Sequence, residues 1–360
     1  MTVGLIMIVK NEEKTLPRLA ASVKDQIDHW TVVDTGSTDA TLEVLEHVFD
    51  PVPGEVHSRE WEGFGPNKNQ AIELAEPHTD WLLWLDADEE LGGTIEIFDE
   101  DITDWIEIEE RNGDLHFWKP RLFKSNRGFR FTGRTHEYLS SPLAGLAVRN
   151  STFWVVHHAD GGSRHEKLPR DLQLLQSEWE EQNNPRTAFY LARTFHDAGQ
   201  VAQAEQWYKR VIGMGGWDEE IFYSRYQLGI CLIDMGAQEE GCGQLWRAWG
   251  LKTKRAEPLV KLAEIYRVAE QWQLAWEVMQ LAYAHCKAQP GNFPPFNEGL
   301  FLDVTAANWR CAYEQSITAW YTGNKERGRM LLDYLSLLVK AGEIPEPYSS
   351  SVTRNLDFYQ

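Results

Sequence analysis

The stretch Trp81-Leu82-Leu83-Trp84-Leu85-Asp86-Ala87-Asp88-Glu89 sets an unbroken apolar run against two carboxylates spaced by one residue. A short continuous apolar run ending in polar residues is the pattern of a strand buried on both faces, as in a parallel sheet. Upstream, Val3–Val9 has the same character and closes on Lys10-Asn11, while Trp30–Val33 closes on Asp34-Thr35-Gly36-Ser37. Leu16, Leu19, Val23 and Ile27 recur between them at helical spacing. Leu42, Leu45 and Val48 do so after a predicted N-cap at Ser37 or Thr38, and Asn67–Ala75 predicts another short helix. This β-α-β-α-β order predicts an α/β domain built on a Rossmann-like, mostly parallel sheet. Ligands of such sheets sit beyond the C-terminal strand ends, where Asn11, Asp34, Asp86 and Asp88 all fall.

After Gly93 the pattern changes. Phe117–Phe123 and Arg130–Phe131 read as strands around an Asn126-Arg127-Gly128 turn, and Phe153–Val156 as a last strand ending at His157-His158. Gly161-Gly162 punctuates the chain, and from Leu168 onward it reads as helical. That half repeats. Leu191, Ala192, Phe195, Gly199, Ala204, Tyr208 and Val211 carry the small/large spacing of a tetratricopeptide repeat. Leu228, Gly229, Leu232, Gly236, Gly241, Leu245 and Ala248 repeat it, as do Leu262, Ala263, Tyr266, Ala275, Met279 and Ala282, with 34 residues from Gly229 to Ala263. A degenerate fourth copy falls around Ala319, Gly323, Gly328 and Leu332, after a Pro/Gly break at Gln289–Pro295. The expected organisation is an α/β domain over 1–162, an all-α tetratricopeptide-like array over 163–345 and a tail over 346–360. Of the 16 tryptophans, Trp207, Trp246, Trp249, Trp272, Trp276 and Trp309 sit in the array at core-like spacing.

Composition agrees with two folded domains: 360 residues, 42% hydrophobic, 12% aromatic, net charge −20. No apolar run approaches the roughly 18–20 residues of a bilayer span, and no signal-peptide pattern opens the chain. A cytoplasmic protein without membrane insertion is expected. Cys231, Cys242, Cys286 and Cys311 lack metal or disulfide spacing and read as small core residues of a reducing compartment. The charge is uneven: residues 1–160 hold 14 basic and 30 acidic side chains, with no Lys or Arg between Lys68 and Arg111. Seven basic residues then follow (Arg111, Lys119, Arg121, Lys124, Arg127, Arg130 and Arg134), a segment suited to a small phosphate ligand within a protein that repels polyanions. Glu107-Ile108-Glu109-Glu110 reads as a solvated face.

Two carboxylates at the mouth of a parallel sheet can hold a hard divalent cation, and such a cation can neutralise a diphosphate leaving group. Three segments carry a resemblance: Met7-Ile8-Val9-Lys10-Asn11-Glu12-Glu13, Val32-Val33-Asp34-Thr35-Gly36-Ser37-Thr38-Asp39-Ala40-Thr41, and the stretch ending Asp86-Ala87-Asp88-Glu89. In order and spacing they resemble the motifs of family 2 glycosyltransferases, inverting enzymes of GT-A fold that use nucleotide-sugar donors. The likeness runs on through Arg121-Leu122-Phe123 and Gly133-Arg134-Thr135-His136-Glu137 to His157-His158. It is to the bacterial and phage-type branch that carries tetratricopeptide repeats behind the catalytic domain.

The resemblance implies roles. Asp34, Asn11 and Lys10 would line the nucleoside pocket, and Lys68 would reach the nucleotide as a point charge. Asp86 would serve ribose and metal, and Asp88 would be the main ligand of Mn²⁺ or Mg²⁺. A histidine after the last strand would complete the metal site; His157 and His158 both stand there, and strand parity does not separate them. Glu137 is the expected base for the acceptor, with Asp160 in reserve. Arg121 and Arg134 would face the diphosphate or acceptor. A UDP-sugar donor and a protein or peptide acceptor, held by the helical array, are expected. Glycans and modified DNA bases are the alternative acceptors, with nucleic acid disfavoured by the charge. A different class, an interaction scaffold with a decayed catalytic domain, is opposed by the intact Asn11, Asp34, Asp86, Asp88 and Glu137. A nucleotidyltransferase is opposed by the lack of a Gly-rich phosphate loop after the first strand.

Overall fold

The computed structural model describes residues 1–98, 102–112, 115–161, 167–285 and 299–359; Gly162, Cys286 and the Gln289–Pro295 break lie outside them. The chain packs as two units, Met1–Asn183 and Asn184–Gln360.

In the first unit, apolar runs become the central strands β1 (Val3–Val9), β2 (His29–Asp34) and β4 (Trp81–Trp84), which are almost wholly buried. Helices α1 (Leu16–Val23), α2 (Thr41–Val48) and α3 (Phe64–Ala75) alternate with them. The remaining strands are β3 (Gly54–Ser58), β5 (Glu89–Gly93), β6 (Thr103–Asn112), β7 (Leu115–Lys124), β8 (Arg130–Thr132), β9 (Tyr138–Ser140) and β10 (Leu146–His157). The main sheet is eight-stranded in the order β3-β2-β1-β4-β7-β6-β10-β5, with β8-β9 apart. β3, β2, β1 and β4 are mutually parallel. β7 is antiparallel to β4 and β6, and β10 is parallel to β6, so β10 runs in the same direction as β4. Asn11, Asp34, Asp86 and His157 therefore emerge at one edge. Helix α4 (Lys167–Glu181), which follows the expected boundary at 162/163, packs with this unit.

Four local expectations differ from the structure. Helix α2 starts at Thr41 after Ala40, not at Ser37 or Thr38, because those residues bond to the loop after β1. Leu42 stays 39% exposed, and Thr41 and Leu45 form the buried face instead. The Asn126–Gly128 turn joins no hairpin: β7 pairs with β4 and β6, and β8 pairs with β9. Glu107–Glu110 is strand β6, with Ile108 and Glu110 buried, rather than a solvated face.

The second unit is a succession of helical hairpins. They are α5/α6 (Pro185–Asp197, Val201–Met214), α7/α8 (Asp218–Asp234, Gln238–Leu251), α9/α10 (Glu257–Val268, Trp272–His285) and α11/α12 (Cys311–Tyr321, Lys325–Lys340). The small residues do what the repeat pattern requires. A Cβ on Gly229 would stand 2.9 Å from Leu245 and 3.0 Å from the Gly241 carbonyl, so the α7/α8 hairpin closes only without one. Trp276 and Trp309 are buried, as are Cys231 and Cys311, while Cys242 is half-buried. The residues expected as a tail form α13 (Tyr348–Asn355) and a short 3₁₀ turn, anchored by Val352 and by the Tyr359 hydroxyl donating to the Ser316 carbonyl at 2.6 Å.

Candidate active site

The loops after β1 and β2 are stitched together by the polar residues that the motifs supply. Asn11, in a left-handed conformation at φ 60°, accepts from the Thr38 N–H at 2.7 Å, and its own N–H donates to Ser37 Oγ at 3.0 Å. Asp34 is buried and accepts from the N–H groups of Gly36 and Ser37, each at 3.1 Å, so it shapes its own loop. Lys10 lies exposed at the rim.

The centre of the crevice is a charge cluster around the buried Lys68, with Glu137 largely covered and Asp86 partly open to solvent. Lys68 projects from α3, with its ammonium 2.5 Å from Glu137 and 3.8 Å from Asp86. It also lies 4.1 Å from the centroid of the Trp84 ring. Burial opposes the charge on Lys68, yet Asp86 and then Glu137 outweigh it and raise its pKa. Burial likewise works against ionised Glu137 and Asp86, but Lys68 dominates in both and holds their pKa values below the ordinary range.

The Asp86–Asp88 turn is braced from below. Glu89, 1% exposed, accepts the Asp86 N–H through one oxygen at 2.7 Å and Arg121 Nη2 through the other at 2.6 Å. Arg121 also donates to Glu110 at 2.6 Å, and Lys119 stands 3.0 Å from the same carboxylate. Arg121 is thus a buried brace rather than a group facing the crevice. Arg134 is held as well: its side chain reaches Glu181 at 2.7 Å and its N–H donates to Glu178 at 2.7 Å, both on α4. The other basic residues of that stretch pair similarly, Arg111 with Glu109, Lys124 and Arg127 with Asp104, and Arg130 with Glu76. The segment that looked suited to phosphate is neutralised strand by strand.

The two histidines part. His157 Nδ1 lies between Glu89 Oε1 at 3.6 Å and Asp88 Oδ1 at 3.7 Å, whereas His158 Nε2 turns to Glu90 at 2.8 Å. Neighbouring ligands of a six-coordinate Mg²⁺ with bonds near 2.1 Å stand about 3 Å apart, so Asp88 and His157 fit two adjacent positions after a small closure. Among the described residues no group of three His, Cys, Asp or Glu side chains is arranged to hold a metal. A cation shared with substrate phosphates requires only one or two protein ligands. Asp160, the reserve base, is half-exposed and engaged by both Nη atoms of Arg18 at 2.9 and 2.7 Å. Sequence reasoning missed Glu89 as a site residue; its signal was an acidic residue directly after Asp-x-Asp at the start of a strand.

A mixed sheet whose parallel strands end together at this acidic turn has its crevice where α/β domains place their ligands. Residues 5–142 match the model of Glycosyl transferase family 2. The N-terminal part of the chain thus matches that family's domain, and tetratricopeptide-like helical repeats follow it. It is 29% identical over 285 residues to a TPR repeat-containing protein of Synechococcus elongatus, covering 74% of this chain and 60% of that one. It is 26% identical over 228 residues to the SPbeta prophage-derived glycosyltransferase SunS of Bacillus subtilis, covering 59% and 53%. The chain thus spans less than two thirds of the length of these relatives. The solved structure of YrrB, described as a TPR protein with an unusual peptide-binding site, is similar at 14% identity with a TM-score of 0.37, covering 52% of this chain and 84% of that one.

Proposed function

We propose that the chain transfers a sugar from a nucleoside diphosphate donor, foremost a UDP-sugar, to a hydroxyl, thiol or amine of a protein or peptide, with inversion at the anomeric carbon. The observation that carries this reading is the Lys68 ammonium buried between Glu137 and Asp86 beside the acidic turn. A base in a single displacement must be ionised when the acceptor arrives, and Lys68 keeps Glu137 so.

The acceptor nucleophile attacks the anomeric carbon, the bond to the diphosphate oxygen breaks, and the acceptor proton passes to the Glu137 carboxylate. Asn11 and Asp34 shape the nucleoside side of the crevice, with Lys10 at its rim. Asp88 and His157 would hold Mn²⁺ or Mg²⁺, which would offset the charge gathering on the departing diphosphate. Arg121 acts at one remove: it fixes Glu89, and Glu89 fixes the backbone of Asp86. The helical array is the proposed holder of the acceptor, and the proposed setting is the cytoplasm of a bacterium or of a phage-infected host.

The test is release of nucleoside diphosphate from a panel of UDP-, GDP-, CDP- and dTDP-sugars with Mn²⁺ and a peptide library. One donor should be consumed with formation of an inverted glycopeptide. No consumption of any donor, by a protein whose melting temperature responds to none of the nucleotides, would overturn the assignment.

A further inference from the structure

In the second unit, residues Gly299–Asp303 lie over the first helices of successive hairpins, and their main chain is paired mostly with side chains, though the Asp303 carbonyl accepts a backbone bond from the Ala306 N–H at 3.2 Å. The Leu300 N–H donates to Glu219 at 3.0 Å, the Leu300 carbonyl accepts from both Nη atoms of Arg255 at 3.4 and 3.3 Å, and the Asp303 N–H donates to Glu257 at 3.3 Å. Arg255 and Glu257 are themselves buried, joined at 2.6 Å, with Arg255 stacked on Phe222 at 4.5 Å. Such a preset ion pair reads only what every peptide carries, an N–H and a C=O. A Cβ on Gly299 would come 2.3 Å from Arg255 Nη1, and the φ of 144° there is one that side-chain-bearing residues rarely adopt, so glycine suits the clamp best.

Two residues after Gly299, Phe301 supplies a side-chain anchor. Its ring stacks over Phe189 at 6.3 Å, meets Tyr223 edge-on at 5.1 Å and receives the Arg193 guanidinium at 3.8 Å. Yet Phe301 remains 37% exposed and adopts a left-handed φ of 50°, a conformation that costs a bulky residue. Arg255, Glu257 and Phe189 are buried and Glu219, Tyr223 and Arg193 half-buried, while the segment they hold is superficial and strained.

We infer that the surface formed by α5, α7 and the turn before α9 is a binding site for an extended peptide with a small residue followed two positions later by an aromatic one. The chain's own Gly299–Asp303 occupies it as an internal competitor. This refines the peptide-acceptor reading of the helical array, but it concerns binding alone and stands whether or not the first unit transfers sugar.

The probe is a fluorescent peptide with the sequence of residues 299–305, Gly-Leu-Phe-Leu-Asp-Val-Thr, added to the full chain without donor or metal. Phe301→Ala, which loosens the competitor, should bind it at least ten times more tightly than the unaltered protein. Phe301→Ala with Arg255→Met should lose that gain, and a peptide with Ala in place of Phe should not bind. Equal affinity of a folded Phe301→Ala and the unaltered protein overturns the proposal, as does binding indifferent to Arg255. Should Phe301→Ala not fold, hydrogen exchange of the unaltered protein decides: millimolar peptide should speed exchange at the Leu300 and Asp303 amides, and unchanged rates refute the site.

Discussion

Lys68 Nζ lies 2.5 Å from Glu137 Oε1, a buried ammonium on α3 gripping a carboxylate on the loop before β9, with Asp86 3.8 Å from the same nitrogen. Removing one member of a buried pair costs about 3–5 kcal/mol, because the partner stays behind without water. Lys68→Met, which strands two carboxylates, should fall in that range by denaturant melts and lose donor turnover. Glu137→Gln leaves Lys68 with Asp86 and should keep nucleotide affinity within a few-fold while transfer drops by roughly 10²–10⁴. Transfer retained by Glu137→Gln would remove it as the base.

His157 and His158 are adjacent in sequence but turn to different acids, His157 to Glu89 and Asp88 and His158 to Glu90. Asp88→Ala and His157→Ala should each abolish the extra thermal stabilisation that Mn²⁺ adds to a bound nucleoside diphosphate. Such stabilisation amounts to about 2.7 kcal/mol at 100 times the dissociation constant. His158→Ala should leave it intact. A metal effect lost with His158 and kept with His157 would exchange their assignments.

The central strands were legible because β1, β2 and β4 are buried on both faces, so burial writes itself as unbroken apolar runs. Their polar ends then mark the crevice by topology alone. Strand β3, Gly-Glu-Val-His-Ser at a sheet edge, has no such run and left no signal. The Glu89–Arg121–Glu110 brace was illegible for another reason: it links three strands whose neighbours are set by long-range pairing. A buried ion pair of this kind has the same local composition as a solvated charged face. The acids that pair with Arg121 and Arg134 were likewise hidden, since charge in sequence does not reveal which acids the fold brings opposite.

Gly65 tests how closely α3 must approach the segment that carries Glu137. A Cβ there would stand 2.1 Å from the Gly133 carbonyl oxygen, and Phe64 N–H already donates to the Arg134 carbonyl at 2.7 Å. The neighbour is backbone and cannot swing aside, so Gly65→Ala must push α3 outward and carry Lys68 with it. Overpacking of this kind costs about 1–3 kcal/mol. Thermal melts should show that loss together with a fall in transfer, whereas Gly243→Ala, inside helix α8 with nothing within 4 Å, should leave transfer unchanged and raise stability by about 0.5–1 kcal/mol.

The brace also carries a pH signature. Burial works against ionised Glu110, but Arg121 and then Lys119 outweigh it and lower its pKa to about 2 from an ordinary 4.5. A depressed carboxylate stabilises the fold fully above its unfolded value and loses that contribution as pH falls through its folded value. The window is therefore roughly pH 4.5 down to 2, and the contribution at neutral pH is about 3 kcal/mol. Glu110→Gln removes the titration without removing the volume. The stability difference between the unaltered protein and this variant, from urea melts, should be constant from pH 7 to 5 and shrink steadily below 4.5. A difference that stays constant down to pH 3 would show that Arg121 does not hold Glu110 ionised.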